Sequence, residues 1–250
     1  MDLQNILDEL RQKRPVIHCI TNIVTVNDCA NILHAVGAAP VMAHHPMEVG
    51  EVTEKSSALV CNMGALEDFE AMIVAGKRAG ELGHPIVIDP VGVAASEYRR
   101  NRCMELIENI RPNCIRGNIS EINALVYGKS DRPGVDAQPS DVPDFIKINE
   151  RAKEWNTIIV VSGESDYICD GEAVHEINGG SNMYRKITGA GCMSSVVIGA
   201  FLAVSAEKTG CAEACDMMKK AGEEAEKRMK IKTGGSMTFR HELIDYLSLC

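Results

Sequence analysis

Ile187-Thr188-Gly189-Ala190-Gly191-Cys192-Met193-Ser194-Ser195-Val196-Val197-Ile198-Gly199-Ala200-Phe201-Leu202-Ala203-Val204-Ser205-Ala206 is an uncharged run entered through two glycines one residue apart. It reads as a tight loop feeding a buried helix. Gly189 and Gly191 reach backbone angles that a Cβ disfavours, so successive N–H groups turn toward one point where the helix dipole is positive. Such a corner holds an anion, and a phosphoryl group is its usual occupant. Cys192 falls in the first turn, where that field is expected to lower a thiol's pKa. The loop is therefore a candidate for chemistry as well as binding. A lone Gly-x-Gly more often just lets a buried helix pack closely, so the rest of the chain decides between the two readings.

Upstream of this run, strand and helix patterns alternate. A helical pattern over residues 3–12 precedes Pro15-Val16-Ile17-His18-Cys19-Ile20, a β-type run ending at Thr21-Asn22. Further strands are expected near 39–42, 57–61, 85–88, 113–116 and 157–162. Helical patterns lie between them near 27–36, 67–82, 98–109, 119–127 and 143–155. This is the signature of βαβ units and a mostly parallel sheet. Residues 167–170 and 173–177, joined by Gly171-Glu172, read as a hairpin that adds an antiparallel edge. Helices over 191–206, 211–229 and 239–249 close the chain. The aperiodic stretch 129–141 is too short for an interdomain linker of any reach, so residues 1–250 read as one domain.

The composition narrows the class of ligand. Of 250 residues, 45% are hydrophobic and 24% charged, the balance of a globular protein with a substantial core. A net charge of -9, with no Lys/Arg stripe interleaved with aromatics, argues against nucleic acid and leaves a small molecule. Ten cysteines are scattered through apolar segments of a chain too long to need stapling, and read as reduced thiols in a cytoplasmic protein. The acidic start Met1-Asp2-Leu3-Gln4-Asn5 has no secretory pattern. The glycines and serines of the 187–206 run favour a protein core over lipid, so no membrane contact is expected.

In an open parallel sheet, ligands bind outside the carboxyl ends of the strands. The residues there are Thr21 and Asn22, Met42, Asn62 and Gly64, Asp89, Arg116 and Asn118, then Ser162, Gly163 and Glu164. They are expected to converge on one crevice with Gly189-Ala190-Gly191-Cys192. Asp89, followed by Pro90-Val91-Gly92, either holds Mg²⁺ or caps the turn after it. Glu121, three residues after Asn118, either completes a capping box or faces a metal beside the phosphate-compatible guanidinium of Arg116. Gly128-Lys129-Ser130 imitates the end of a phosphate-binding P-loop, but Asn123 stands where its first glycine belongs. His44-His45 lack a third metal ligand, and Cys211 and Cys215 suit two core positions on one helix. Two competing functions remain: a cysteine enzyme pairing Cys192 with His18, and a nucleotide-binding regulator without a catalytic base.

Five segments in order carry a resemblance over nearly the whole chain. They are His18-Cys19-Ile20-Thr21-Asn22, Asp89-Pro90-Val91-Gly92, Arg116-Gly117-Asn118-x-Ser120-Glu121, Val161-Ser162-Gly163-Glu164-x-Asp166 and Gly189-Ala190-Gly191-Cys192. Together they resemble the hydroxyethylthiazole kinases of thiamine salvage, in the ribokinase-like superfamily. The resemblance implies a three-layer α/β/α fold around a mostly parallel sheet. It also implies ATP-dependent, Mg²⁺-assisted phosphorylation of 4-methyl-5-(2-hydroxyethyl)thiazole, in a homotrimer with active sites between subunits. Carried over by position, Met42 and Gly189 would touch the thiazole, with Asn22 and Gly64 near it. Arg116 and Ser162 would bind ATP, and Asp89 and Glu121 would serve the metal and phosphates. Cys192 stands where sugar kinases of the superfamily place an aspartate base. Ala190 and Ser162 depart from the usual threonines: the first leaves only backbone donors in the anion hole, and the second keeps its oxygen.

Overall fold

The alternation of apolar runs builds one eight-stranded sheet. The computed structural model describes residues 2–128 and 143–250; the aperiodic stretch 129–141 and the P-loop-like Lys129-Ser130 lie outside the described residues. The strands are β1 (Val16–Ile20), β2 (Ala39–Val41), β3 (Ala58–Asn62), β4 (Ile86–Asp89), β5 (Cys114–Asn118), β6 (Ile158–Ser162), β7 (Asp166–Cys169) and β8 (Val174–Ile177). Their order in the sheet is β2-β1-β3-β4-β5-β6-β7-β8. From β2 to β6 every pairing is parallel, and β7 and β8 are antiparallel, as the hairpin reading requires. The order reverses at β1, which makes the gap between β1 and β3 the switch point of the sheet.

The helices form two layers because strand residues alternate between two cores. One core takes Ile17, Val60, Val87, Cys114 and Val160, covered by α1 (Leu3–Lys13), α2 (Val26–Ala35), α8 (Ala190–Leu202), α9 (Glu207–Ile231) and α10 (Ser236–Leu249). The other takes Ile20, Leu59, Ile88, Ile115 and Ile159, covered by α3 (Val49–Glu54), α4 (Phe69–Leu82), α5 (Glu97–Ile110), α6 (Ile119–Tyr127) and α7 (Phe145–Trp155). The result is the expected three-layer α/β/α arrangement.

Two local features differ from the sequence reading. α3 has only six residues, too few for a period of 3.6 to register. α8 stops at Leu202 rather than near 206, where the Ser205 hydroxyl donates to the Phe201 carbonyl at 2.7 Å and competes with further helix. α9 accordingly begins at Glu207, four residues earlier than the pattern suggested.

α8 is buried almost all round, and glycine sets its distance from the sheet. A Cβ on Gly199 would lie 2.6 Å from Val60 Cγ2. Gly199→Ala is expected to cost about 1–3 kcal/mol through overpacking, read as a lower urea midpoint with an unchanged slope. An unaltered midpoint would mean that α8 does not rest on β3 this closely.

Candidate active site

The period-two alternation that builds the core also aims the polar strand ends. Asn62 shares the parity of Ala58 and Val60, Asp89 that of Val87, Arg116 that of Cys114, and Ser162 that of Ile158 and Val160. All four therefore lie on the α8 side of the sheet, at the carboxyl ends of β3, β4, β5 and β6. The first turn of α8 meets them there. Gly189 caps the helix with φ 83° and no side-chain oxygen, which leaves the first helical amides to an anionic ligand. Glycine is required by its neighbours as well. A Cβ on Gly189 would lie 2.6 Å from Thr25 Cγ2, and one on Gly191 2.5 Å from an Arg116 guanidinium nitrogen.

Asn62 joins these parts and is only 1% exposed. Its Nδ2 donates to Asp89 Oδ2 at 2.8 Å and to Cys192 Sγ at 3.2 Å. Its Oδ1 accepts from Asn22 Nδ2 at 3.1 Å and from the Gly64 amide at 2.9 Å. Both donors and both acceptor sites of the amide are used, so its orientation is fixed. Asn22 also reaches Cys192 Sγ at 3.6 Å, and its Oδ1 accepts from the amides of Val24 and Thr25, both at 3.2 Å, at the start of α2. Gly64 has no room for a side chain, since a Cβ would fall 2.7 Å from Asn62 Oδ1.

Cys192 behaves differently from the sequence expectation. Burial, then the charge of Asp89, push its thiol up to about 11, and these outweigh the hydrogen bonds from Thr25, Asn62 and Asn22. The positive end of α8 does not make a thiolate here. The sulfur is a protonated group hydrogen-bonded to Asp89, whose own carboxyl is raised by burial against the opposing effects of Arg116, Ser195, Cys192 and Asn62. Glu121 is raised from an ordinary 4.5 to about 7 by burial and then by the charge of Asp89.

Of the two sequence readings of Glu121, the capping box is present. Its Oε2 accepts from the Asn118 amide at 3.0 Å while Asn118 Oδ1 accepts from the Glu121 amide at 3.0 Å, a complete capping box. Its Oε1 accepts from the Gly92 amide at 3.1 Å, tying α6 to the turn after β4. Asp89 and Glu121 thus present two buried, mutually repelling carboxylates, the hard oxygen donors that a divalent cation would neutralise. Among the described residues no group of three or more His, Cys, Asp or Glu gathers as ligands. A cation held by this pair would need ligands beyond the two carboxylates.

His18 is not a partner for Cys192. By parity it faces the opposite layer, where Nδ1 bonds Thr53 Oγ1 at 2.8 Å and Nε2 bonds the Ala43 carbonyl at 2.9 Å. Burial lowers its pKa, so the ring is neutral. Its role is to hold the segment after β2, where Met42 packs half-buried against the α8-side core. Ser162 lies at the far end of the row, beside Asn118 in the register, with its hydroxyl donating to the Gly117 carbonyl at 3.2 Å. The sequence reading placed Asn62 in the crevice without giving it a role. Its signal was its parity with Val60 together with a polar side chain at a buried strand end.

The profile of the hydroxyethylthiazole kinase family matches residues 7–250. The hydroxyethylthiazole kinase of Methanobrevibacter smithii is 38% identical over 98% of this chain and 91% of its own length. The structure of the hydroxyethylthiazole kinase protein from Pyrococcus horikoshii superposes with a TM-score of 0.87 at 32% identity, covering 99% of this chain and 93% of that one. A ribokinase-like superfamily protein from Enterococcus faecalis has a TM-score of 0.66 at 13% identity, over 98% and 94% of the two chains, a likeness of fold alone.

The raised Glu121 carboxyl makes a signed prediction about stability. Its folded value of about 7 exceeds the ordinary 4.5, so its contribution is fully present below about pH 4.5 and is lost as pH rises through about 7. Thermal melts of the ligand-free protein are therefore expected to fall from about pH 5.5 to about pH 8.5. The fall should be smaller in Glu121→Gln, which keeps the capping acceptor. A fall of equal size in both proteins would contradict the shift.

Proposed function

The chain belongs to the hydroxyethylthiazole kinase family, and on that premise we propose that it transfers the γ-phosphoryl group of ATP to the hydroxyl of 4-methyl-5-(2-hydroxyethyl)thiazole, in thiamine salvage. One observation supports this most directly: the site residues form a row across the strand ends. Sheet order puts Met42 after β2, Asn22 after β1, Asn62 and Gly64 at β3, Asp89 at β4, Arg116 on β5 and Ser162 at β6. Five strand spacings separate the ends of that row, about 24 Å. That length suits a thiazole at one end, a nucleotide at the other and the transferring phosphoryl between them.

In this reading Met42 and Gly189 contact the thiazole, with Asn22 and Gly64 beside it. Arg116 and Ser162 bind ATP. The amides of residues 190–192 and the Arg116 guanidinium gather the charge of the phosphoryl group as it moves. Asp89 and Glu121 hold Mg²⁺, which when bound neutralises the phosphate oxygens. The thiol of Cys192, kept protonated, is a poor base. The reaction tolerates this because the transition state of phosphoryl transfer is loose and the attacking hydroxyl keeps its proton until late. Alignment of the hydroxyl by Asn22, Asn62 and the α8 start then carries most of the rate. With Ala190 in the usual threonine position, only backbone donors serve the phosphoryl on that side.

Residues 1–250 are proposed to act as one kinase domain, supported by the single sheet that runs through the described residues. A homotrimer with active sites between subunits is the proposed assembly. It is supported by Ile23, Val24 and Met47, which are 84%, 70% and 85% exposed in the loops after β1 and β2, next to the site. A cytoplasmic setting is supported by ten free cysteines. No helix among the described residues is long and apolar enough to cross a membrane.

An ADP-release assay with Mg-ATP tests the assignment. Turnover is expected with the hydroxyethylthiazole and not with a hydroxymethylpyrimidine; activity with the pyrimidine alone would overturn the substrate. A second expectation concerns the sulfur. Cys192→Ala should keep measurable turnover, and Cys192→Asp should raise kcat toward the about 10²-fold that a placed general base supplies. Complete loss of transfer in Cys192→Ala, with thiazole binding intact, would give the cysteine a larger part than positioning.

A further inference from the structure

Lys219, on α9, is a buried cation that the site described so far does not use. Its side chain is 8% exposed, and its ammonium points at the turn joining β6 to β7. Nζ donates to the Gly163 carbonyl at 2.9 Å and the Glu164 carbonyl at 2.8 Å, and pairs with Asp166 Oδ1 at 3.1 Å. An ammonium has three donors, and here each has an oxygen. Asp166 Oδ1 in turn accepts from the Gly163 amide at 3.1 Å, so the ion pair closes the turn on itself. Ser162 is the residue immediately before that turn.

The same face of α9 braces the segment that leads toward the glycine loop. One turn beyond Lys219, Glu223 Oε1 accepts from the Gly180 amide at 2.9 Å, and Glu226 Oε2 accepts from the Ser181 hydroxyl at 2.6 Å. Between Lys219 and Glu223, Gly222 leaves space for the Tyr184 ring, whose hydroxyl donates to the Met218 carbonyl at 2.6 Å. Positions 219, 222, 223 and 226 lie on one stripe of a helix. The turn after β6 and the chain entering α8 are thus held against a common support.

We propose that Lys219 is a positioning residue for the nucleotide: its ammonium sets the shape of the β6–β7 turn and thereby presents Ser162 to ATP. The proposal rests on the assignment of Ser162 and Arg116 to ATP. A neutral side chain at 219 leaves the Gly163 and Glu164 carbonyls and the Asp166 carboxylate without the cation that gathers them, and because Gly163 and Glu164 are exposed the turn is free to change shape as water takes its place. The thiazole end of the row, at β1 and β2, lies four strands away and is untouched.

The test is steady-state kinetics on the full chain for Lys219→Gln, Lys219→Arg and Ser162→Ala. Loss of the hydrogen bond that Ser162 is proposed to make to ATP corresponds to about a tenfold rise in KM for ATP in Lys219→Gln. The KM for the thiazole and kcat should stay within about threefold, the signature of lost nucleotide binding rather than general damage. Lys219→Arg should recover part of the ATP affinity. Equal rises in both KM values, or an unchanged KM for ATP, would overturn the proposal. If Ser162→Ala shifts the KM for ATP and Lys219→Gln does not, the role of Lys219 fails while the nucleotide assignment stands; if neither shifts it, the assignment itself fails. Should the Lys219 variants not fold, hydrogen exchange on the wild-type protein decides. ADP is expected to slow exchange in residues 163–166 where the thiazole alone does not, and exchange there unchanged by ADP would overturn the proposal.

Discussion

A single side-chain amide at the end of β3 holds the site together. Asn62 is buried, and its two donors and two acceptor positions are committed to four different segments: Asp89 at the end of β4, Cys192 in α8, Asn22 after β1, and the backbone at Gly64. Leaving any of these bonds unmade in such a place costs the desolvation of the group concerned. The amide therefore admits one arrangement of the strand ends about the switch point. It places the start of α8, the row of polar residues and the loop before α2 in a common frame.

Within that frame two electrostatic effects compete at Cys192, and the local one prevails. The helix start favours an anion on the sulfur, while burial and the Asp89 charge disfavour it. The thiol is consequently protonated, and the positive corner of α8 is left without an anion of its own, as the proposed phosphoryl site needs. Asp89 and Glu121 show the same logic with the opposite need. Both are carboxylates raised by burial, and a cation in front of them would relieve that strain. The corner suited to an anion and the pair suited to a cation are neighbours, as phosphoryl transfer requires.

Most of this was legible in the sequence because it depends on periodicity. Alternation along β3, β4, β5 and β6 fixed which polar strand ends face α8, and the glycines at 189 and 191 marked the helix start. The sign of the Cys192 shift was not legible, because it depends on how deeply the first turn of α8 is covered by segments distant in sequence. The place of His18 was open for a similar reason: its partner Thr53 lies on α3, a helix too short to leave a pattern. Its parity with Ile20 was nevertheless enough to separate it from Cys192. The cage around Lys219 was hidden as well, since two of its three acceptors are main-chain oxygens, which no residue type announces.

The frame stands or falls on the Asn62 amide. The direct measurement is the rate of phosphoryl transfer in Asn62→Ala, taken in single turnover with both substrates saturating. Loss of alignment at Asp89, Asn22 and Cys192 together predicts a fall of about 10²-fold, since a displacement near 1 Å has that effect. A rate within about twofold of the wild-type protein would show that the strand ends keep their geometry without it, and would contradict the account.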